Sequence, residues 1–253
     1  MVIALHYKRT TSRCKEVMTA SYYSQNDYNK TMCGRFVFTD PSRIKALLPE
    51  AVIDDQIILE FKPNYNIAPS QPVLAMLNND SRVPTYTRWG LIPSWTKDPS
   101  RGAHLINARA ETLEDKPTFR ALAHKRRCLI FADGFYEWRH EGKHKQPFFI
   151  RRIDWQPMAL AGLWDTWKNH GANIISSTII TTSASAQLST IHDRMPVIMT
   201  PPGHVAWLSP SPLSFEAVRR CLTNESNDTL EYYAVSGLVN NPANSGPECI
   251  RPL

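Results

Sequence analysis

A methionine followed by a small residue marks a place where initiator removal leaves that residue as a free N-terminus, and Met32-Cys33-Gly34-Arg35-Phe36 presents such a pair. A cysteine in that position carries two nucleophiles on adjacent carbons. Its α-amine forms a Schiff base with an aldehyde, and its thiol closes onto the imine to give a five-membered thiazolidine. An α-amine of pKa about 7.8 is neutral in roughly one molecule in seven at pH 7, whereas a lysine near 10.4 is neutral in only about one in 2,500. The neutral amine is the nucleophile. The competing reading makes Cys33 an ordinary strand cysteine behind a genuine leader.

Four further segments hold residue types suited to chemistry. Asn107-Ala108-Arg109-Ala110-Glu111-Thr112 packs an amide, a guanidinium and a carboxylate into six residues. Asp133-Gly134-Phe135-Tyr136-Glu137-Trp138 ends an apolar strand with a carboxylate between aromatics, where desolvation favours a raised pKa and acid/base work. His192-Asp193-Arg194-Met195-Pro196 sets a titratable imidazole between a short helix and a strand. Arg88-Trp89-Gly90-Leu91-Ile92-Pro93-Ser94-Trp95 interleaves indoles with glycine and proline, as suits a rigid wedge or a stacking platform for unpaired bases. Each has a plainer alternative: Glu137 pairing with Arg139 or Lys143 across a hairpin, His192 as a capping or core histidine, Trp89 and Trp95 as core residues, and Arg109 with Glu111 as a surface pair.

The elements that must position these residues are short. Nineteen prolines argue against long helices and for a loop-rich α+β domain of mainly antiparallel short strands in barrel-like sheets, with a few short helices. The clearest hairpin runs over residues 128–138, turns through 139–145 and returns over 147–152. Further strands are expected at 73–77, 85–90, 159–164, 177–182 and 196–200, and helices at 41–48, 117–125, 186–191 and 212–222. Residues 1–32 are polar and without periodicity, and read as a disordered leader or a mis-assigned start absent from the mature protein. Residues 33–253 read as the single domain.

Bulk properties narrow the function classes. The net charge of +6 is compatible with nucleic acid without demanding it, because residues 1–32 hold five basic residues against two acidic ones and the remaining chain carries only +3. No stretch approaches the roughly 18 consecutive apolar residues of a membrane span, so no membrane partner and an intracellular location are expected. The five cysteines (Cys14, Cys33, Cys128, Cys221, Cys249) are scattered without the close pairs that zinc or redox motifs use. Reduced thiols, no metal and no cofactor are expected.

Taken together, the segments resemble the SOS response-associated peptidase family, whose members include a bacterial protein and a eukaryotic relative that crosslink to abasic sites. The resemblance runs through residues 32–36, Tyr65-Asn66-Ile67-Ala68-Pro69-Ser70-Gln71, 88–95, 107–112, 133–138 and 192–197, and reaches Val235-Ser236 and Val239-Asn240-Asn241. It implies that Cys33 forms a thiazolidine with an abasic site in single-stranded DNA, that Asn107 and His192 hold the amine and the opened sugar, and that Glu137 is the acid/base. It implies DNA contacts from Arg35, Asn66, Arg109 and Arg194, with Arg35 and Arg109 gripping phosphates, and stacking by Trp89 or its neighbour Trp95 where a duplex ends. It also implies a monomer in the DNA damage response, cytoplasmic and nucleoid-associated in a bacterium or nuclear in a eukaryote. The 31 residues before Met32 depart from the family pattern: while they persist, the nitrogen of Cys33 is an amide and no thiazolidine can form. Two rival readings stay open, a thiol peptidase that removes its own leader and a non-catalytic single-strand-binding module.

Overall fold

The computed structural model describes residues 33–142, 144–169, 171–222 and 229–253, and the expectation of a leader at residues 1–32 lies outside them. Alternating apolar side chains and frequent turns build twelve strands and four α-helices among these residues. Five strands, β1 (Arg35–Phe38), β2 (Asn64–Ile67), β7 (Gly134–Glu141), β8 (His144–Arg152) and β12 (Leu230–Ala234), form an antiparallel sheet in the order β12-β8-β7-β1-β2. The second sheet closes on itself. In it β9 (Met158–Asn169) pairs both β6 (Arg127–Ala132) and β10 (Ala172–Ser183), and β3 (Pro72–Leu77) and β4 (Thr85–Trp89) complete the ring between β6 and β10. Two three-residue strands, β5 (Asn107–Arg109) and β11 (Arg194–Pro196), extend the pairing along the far half of β10.

The period of two along a strand decides how the sheets meet. Phe36, Phe38, Phe135, Phe148 and Ile150 turn one face of the open sheet onto the barrel and join its core. Val37, Tyr136 and Phe149 turn the other way and are covered by Val235, Val239 and Cys249 of the C-terminal segment. Each fully buried phenylalanine on these faces contributes roughly 1.5–3 kcal/mol, so the open sheet is fastened to the barrel along its length.

Helix α2 (Pro117–Lys125) matches its expected bounds, with Pro117 in the first turn where a missing N–H costs nothing. The other helices are α1 (Asp55–Glu60), α3 (Pro201–Trp207) and α4 (Phe215–Cys221). The expected helices at 41–48 and 186–191 are 3-10 turns, Pro41–Ala46 and Leu188–Thr190. Two strand expectations are corrected. Residues 128–138 are two strands in different sheets, because Asp133 forms the corner: its N–H donates to the Val37 carbonyl and its carboxylate accepts from the Thr39 N–H and hydroxyl and from Arg43. The strand expected at 196–200 stops at Pro196, since Val197 and Met199 then donate in opposite directions, to Ile180 and Ala159.

Candidate active site

Strands β1 and β7 pair with Arg35 opposite Tyr136 and Phe36 opposite Phe135, which carries the residues just before β1 up to Glu137. The Cys33 N–H donates to Glu137 Oε1 at 2.7 Å. Glu137 shares the parity of Phe135, so its carboxyl points to the apolar face and is buried. That burial pushes its pKa up to about 8; the N–H donors of Cys33 and Trp138 oppose the rise and the charge of Asp193 adds to it. A carboxyl that keeps its proton near neutral pH is what a general acid requires.

Cys33 is buried as well, and its thiol is held well above its ordinary value, by burial first and by the charge of Glu137 second. Its backbone sits at φ +45°, in the left-handed region that side chains other than glycine's seldom adopt. Part of the clash behind that preference involves the preceding carbonyl, which a chain beginning at Cys33 lacks.

His192 follows the Leu188–Thr190 turn. The Arg194 N–H donates to its Nδ1 at 3.1 Å, and Asp193 Oδ1 lies 2.9 Å from the same nitrogen. Burial lowers the imidazole pKa, with the charge of Asp193 opposing. The two contacts favour opposite tautomers: the Arg194 N–H favours an Nδ1 that accepts, and the Asp193 carboxylate favours one that carries the proton. Asp193 is felt at Glu137 and His140 of β7 is felt at His192, so this loop lies beside β7.

Asn107 and Arg109 sit two apart on β5, opposite Ile179 and Thr181 of β10; Asn107 is half-buried and Arg109 exposed. On the other edge of β10 lies β11 with Arg194. Glu111, just beyond β5, accepts from Arg194 Nη1 and Nη2 at 2.7 and 2.9 Å, and Arg194 Nη2 also donates to the Thr181 carbonyl. The fork reaches across β10 and locks the segment bearing Asn107 to the one bearing His192. Glu111 is held below the usual carboxylate range, chiefly by its hydrogen bonds from Arg194.

Three of the residues expected to contact DNA are buried in this structure. Arg35 is 3% exposed, and its guanidinium donates to Asn66 Oδ1 (3.0 Å) and to the Val239 and Asn240 carbonyls (2.6 and 3.3 Å). Asn66 is fully buried and directs Nδ2 at the carbonyls of Val239, Asn241 and Asn244. This pair anchors the 239–244 segment rather than facing phosphates, as buried polar groups must find partners. Trp89 has 0% of its surface exposed, packs edge-on against Phe36 and donates Nε1–H to the Ile106 carbonyl, so it cannot stack on a base. Arg194 is committed to Glu111, and Glu111 pairs with it rather than with Arg109. Trp95, by contrast, is 67% exposed.

The structure thus gathers Cys33, Glu137 and the His192 loop, sets Asn107 and Arg109 across β10, and buries Arg35, Asn66 and Trp89. The sequence reading named Asp193 within the His192 segment but missed it as a charge acting on Glu137. Among the described residues, no group of three or more His, Cys, Asp or Glu is placed to hold a metal ion, and no helix is long and apolar enough to cross a membrane. A surface groove of about 490 Å³ lined by Pro117, Arg120, His124 and Pro212 lies on α2 and includes none of the candidate site residues.

The family described as SOS response associated peptidase (SRAP) matches residues 32–242. The chain is 40% identical over 229 residues to the abasic site processing protein YoqW of Bacillus subtilis (strain 168), covering 87% of this chain and 99% of that one. It is 33% identical over 231 residues to the abasic site processing protein YedK of Escherichia coli (strain K12), covering 88% of this chain and all of that one. Among solved structures, a crystal structure of a protein from Bacteroides thetaiotaomicron superposes with a TM-score of 0.77 at 25% identity, over 87% of this chain and all of that one.

Proposed function

The chain belongs to the SOS response associated peptidase family, and from that premise we propose that it processes abasic sites in DNA by capturing the sugar aldehyde on Cys33. The observation that carries this reading is the buried 2.7 Å contact between the Cys33 nitrogen and Glu137 Oε1, at a carboxyl whose pKa is raised to about 8. An abasic sugar is mostly a closed hemiacetal. Glu137, protonated, donates to the ring oxygen as the C1′–O bond breaks, and the C1′ hydroxyl proton returns through water to its carboxylate, leaving an open-chain aldehyde and a protonated Glu137. The Cys33 α-amine adds to C1′, the carbinolamine loses water, and an imine remains. The thiol then adds to the imine carbon, and its proton is relayed through the Glu137 carboxyl to the imine nitrogen, which becomes a secondary amine. Overall, one aldehyde and one aminothiol give one thiazolidine and one water. Closure removes the imine that would otherwise permit β-elimination and strand cleavage, so the lesion is shielded.

The raised thiol pKa suits this order, because a protonated thiol leaves the first attack to the amine. Burial disfavours an ammonium–carboxylate pair and favours the neutral amine with the neutral acid, the reactive form of each. The His192 imidazole and the Asn107 amide would hold the amine and the opened sugar, and Arg109 would contact a phosphate. Single-stranded DNA, including its junctions with duplex, suits an aldehyde that must reach a buried amine without unstacking. The test is denaturing electrophoresis of the trimmed protein, beginning at Cys33, with an abasic single-stranded oligonucleotide. Wild type should give a shifted band that Cys33→Ala abolishes; a band retained by Cys33→Ala would put the covalent bond on another residue, and no band from wild type would leave only the non-catalytic binding module.

The same contact favours a second, compatible reading. Glu137 Oε1 lies against the nitrogen that would leave if the bond between residues 32 and 33 were cleaved, so it could protonate that leaving amine in a self-processing step. Intact mass decides it: loss of residues 1–32 from wild type but not from Glu137→Gln supports self-processing, and equal loss from both contradicts it.

A further inference from the structure

The loop after β4 carries its exposed indole on a built mount. At its root, Gly90 adopts φ +115° and donates its N–H to the Ser177 carbonyl. Next, Ile92 N–H donates to the buried Ser176 hydroxyl at 2.8 Å. The two residues flanking Trp95 are then fixed from β9. Ser94 N–H donates to Asp165 Oδ2 at 2.7 Å, and the Thr96 carbonyl accepts from Trp167 Nε1 at 2.9 Å. Asp165 is only 3% exposed, and its second oxygen accepts from Arg126 and from the Thr166 N–H. A buried carboxylate is costly unless paired. Here it is spent on one loop N–H, one guanidinium and one strand N–H.

We propose that Asp165 and Trp167 are positioning residues that hold Trp95 as a preformed stacking platform for an unpaired base beside the captured nucleotide. The proposal rests on the DNA reading above and assigns a role to β9 residues that touch neither Cys33 nor Glu137. Trp95 is the ligand-facing group: an indole two-thirds exposed, with both neighbours clamped, loses little freedom when a base stacks on it, which is how preorganisation strengthens binding. Asp165 and Trp167 act only through it.

The test is a double-mutant cycle on base stacking, read by quenching of 2-aminopurine placed next to the lesion. A matched undamaged single strand is measured in parallel. Asp165→Asn and Trp167→Phe are each made in wild type and in Trp95→Ala, because Trp167→Phe keeps the ring and removes only the Nε1–H. Trp95→Ala should weaken binding roughly fivefold to 150-fold, as loss of one stacked base does, and abolish the quenching. Each positioning variant should weaken wild type severalfold and change the Trp95→Ala protein not at all. Equal losses in both backgrounds would make Asp165 and Trp167 merely structural, and no loss in wild type would remove the role; either overturns the proposal. If the covalent reading is wrong, crosslinking fails while the coupling persists on the undamaged strand. If the positioning role is wrong, crosslinking proceeds and the coupling is absent.

Discussion

Glu137→Gln in the 253-residue chain tests the electrostatics on which the chemistry depends. The glutamine keeps an oxygen for the Cys33 N–H but has no proton to lose. In the folded wild type the carboxyl is protonated up to about pH 8, whereas its ordinary value is 4.5. Between those values the native state binds more protons than the unfolded state, so wild-type stability must fall as pH rises through that window. At about 1.36 kcal/mol per unit, the whole shift corresponds to about 4–5 kcal/mol; about 2–3 kcal/mol of it falls between about pH 6 and about pH 9. Urea unfolding of both proteins across that range should show Glu137→Gln gaining about 2–3 kcal/mol relative to wild type. A stability difference that stays flat with pH would mean that Glu137 titrates like an exposed carboxylate, and its use as a general acid near neutrality would have to be abandoned.

Three further outcomes separate scaffold from site. Arg35→Ala takes the arginine donor from the buried Asn66 Oδ1 and one of two side-chain donors from the Val239 carbonyl and should cost about 2–4 kcal/mol in denaturant unfolding; the salt slope of DNA binding, measured at a temperature where the variant is folded, should not change. Arg109→Ala, from an exposed position on β5, should do the reverse, leaving stability within about 0.5 kcal/mol and lowering the slope of log K against log salt by about one. Arg127→Lys should destabilise by about 2–4 kcal/mol, because three donors replace a buried fork that serves the carbonyls of Trp207, Ser209 and Ser211 among others; thermal melting reads this directly.

What could be read in advance follows from how local each signal is. Helix α2 was legible because Pro117 and the periodicity after it act within one turn. Strands β9 and β10 were seen at about half their twelve-residue length, since Asp165, Lys168 and Asn173 look like loop residues until their pairing partners are known. The sheet change at Asp133 was hidden for the same reason: Thr39 and Arg43, some ninety residues earlier, make that corner. Helix α3 begins with two prolines and a glycine, and rests instead on the buried Trp207 and His204. In the site, the reactive types at Cys33, Glu137 and His192 stood out by chemistry and neighbours. Trp89 and Trp95 carry the same side chain six residues apart, and only burial separates a core residue from an exposed one. Arg35 and Asn66 look like DNA ligands by type, yet their partners are carbonyls of a segment some two hundred residues away.

The central claim is that one residue supplies both the nitrogen and the sulfur that hold the sugar. Intact and fragment mass spectrometry of the adduct with an abasic single-stranded oligonucleotide tests it most directly. The account predicts a protein beginning at Cys33 joined to the strand with loss of one water, the modification mapping to Cys33 and leaving no free thiol there. An adduct on a chain that still carries residues 1–32, or one in which the Cys33 thiol remains alkylatable, would contradict it.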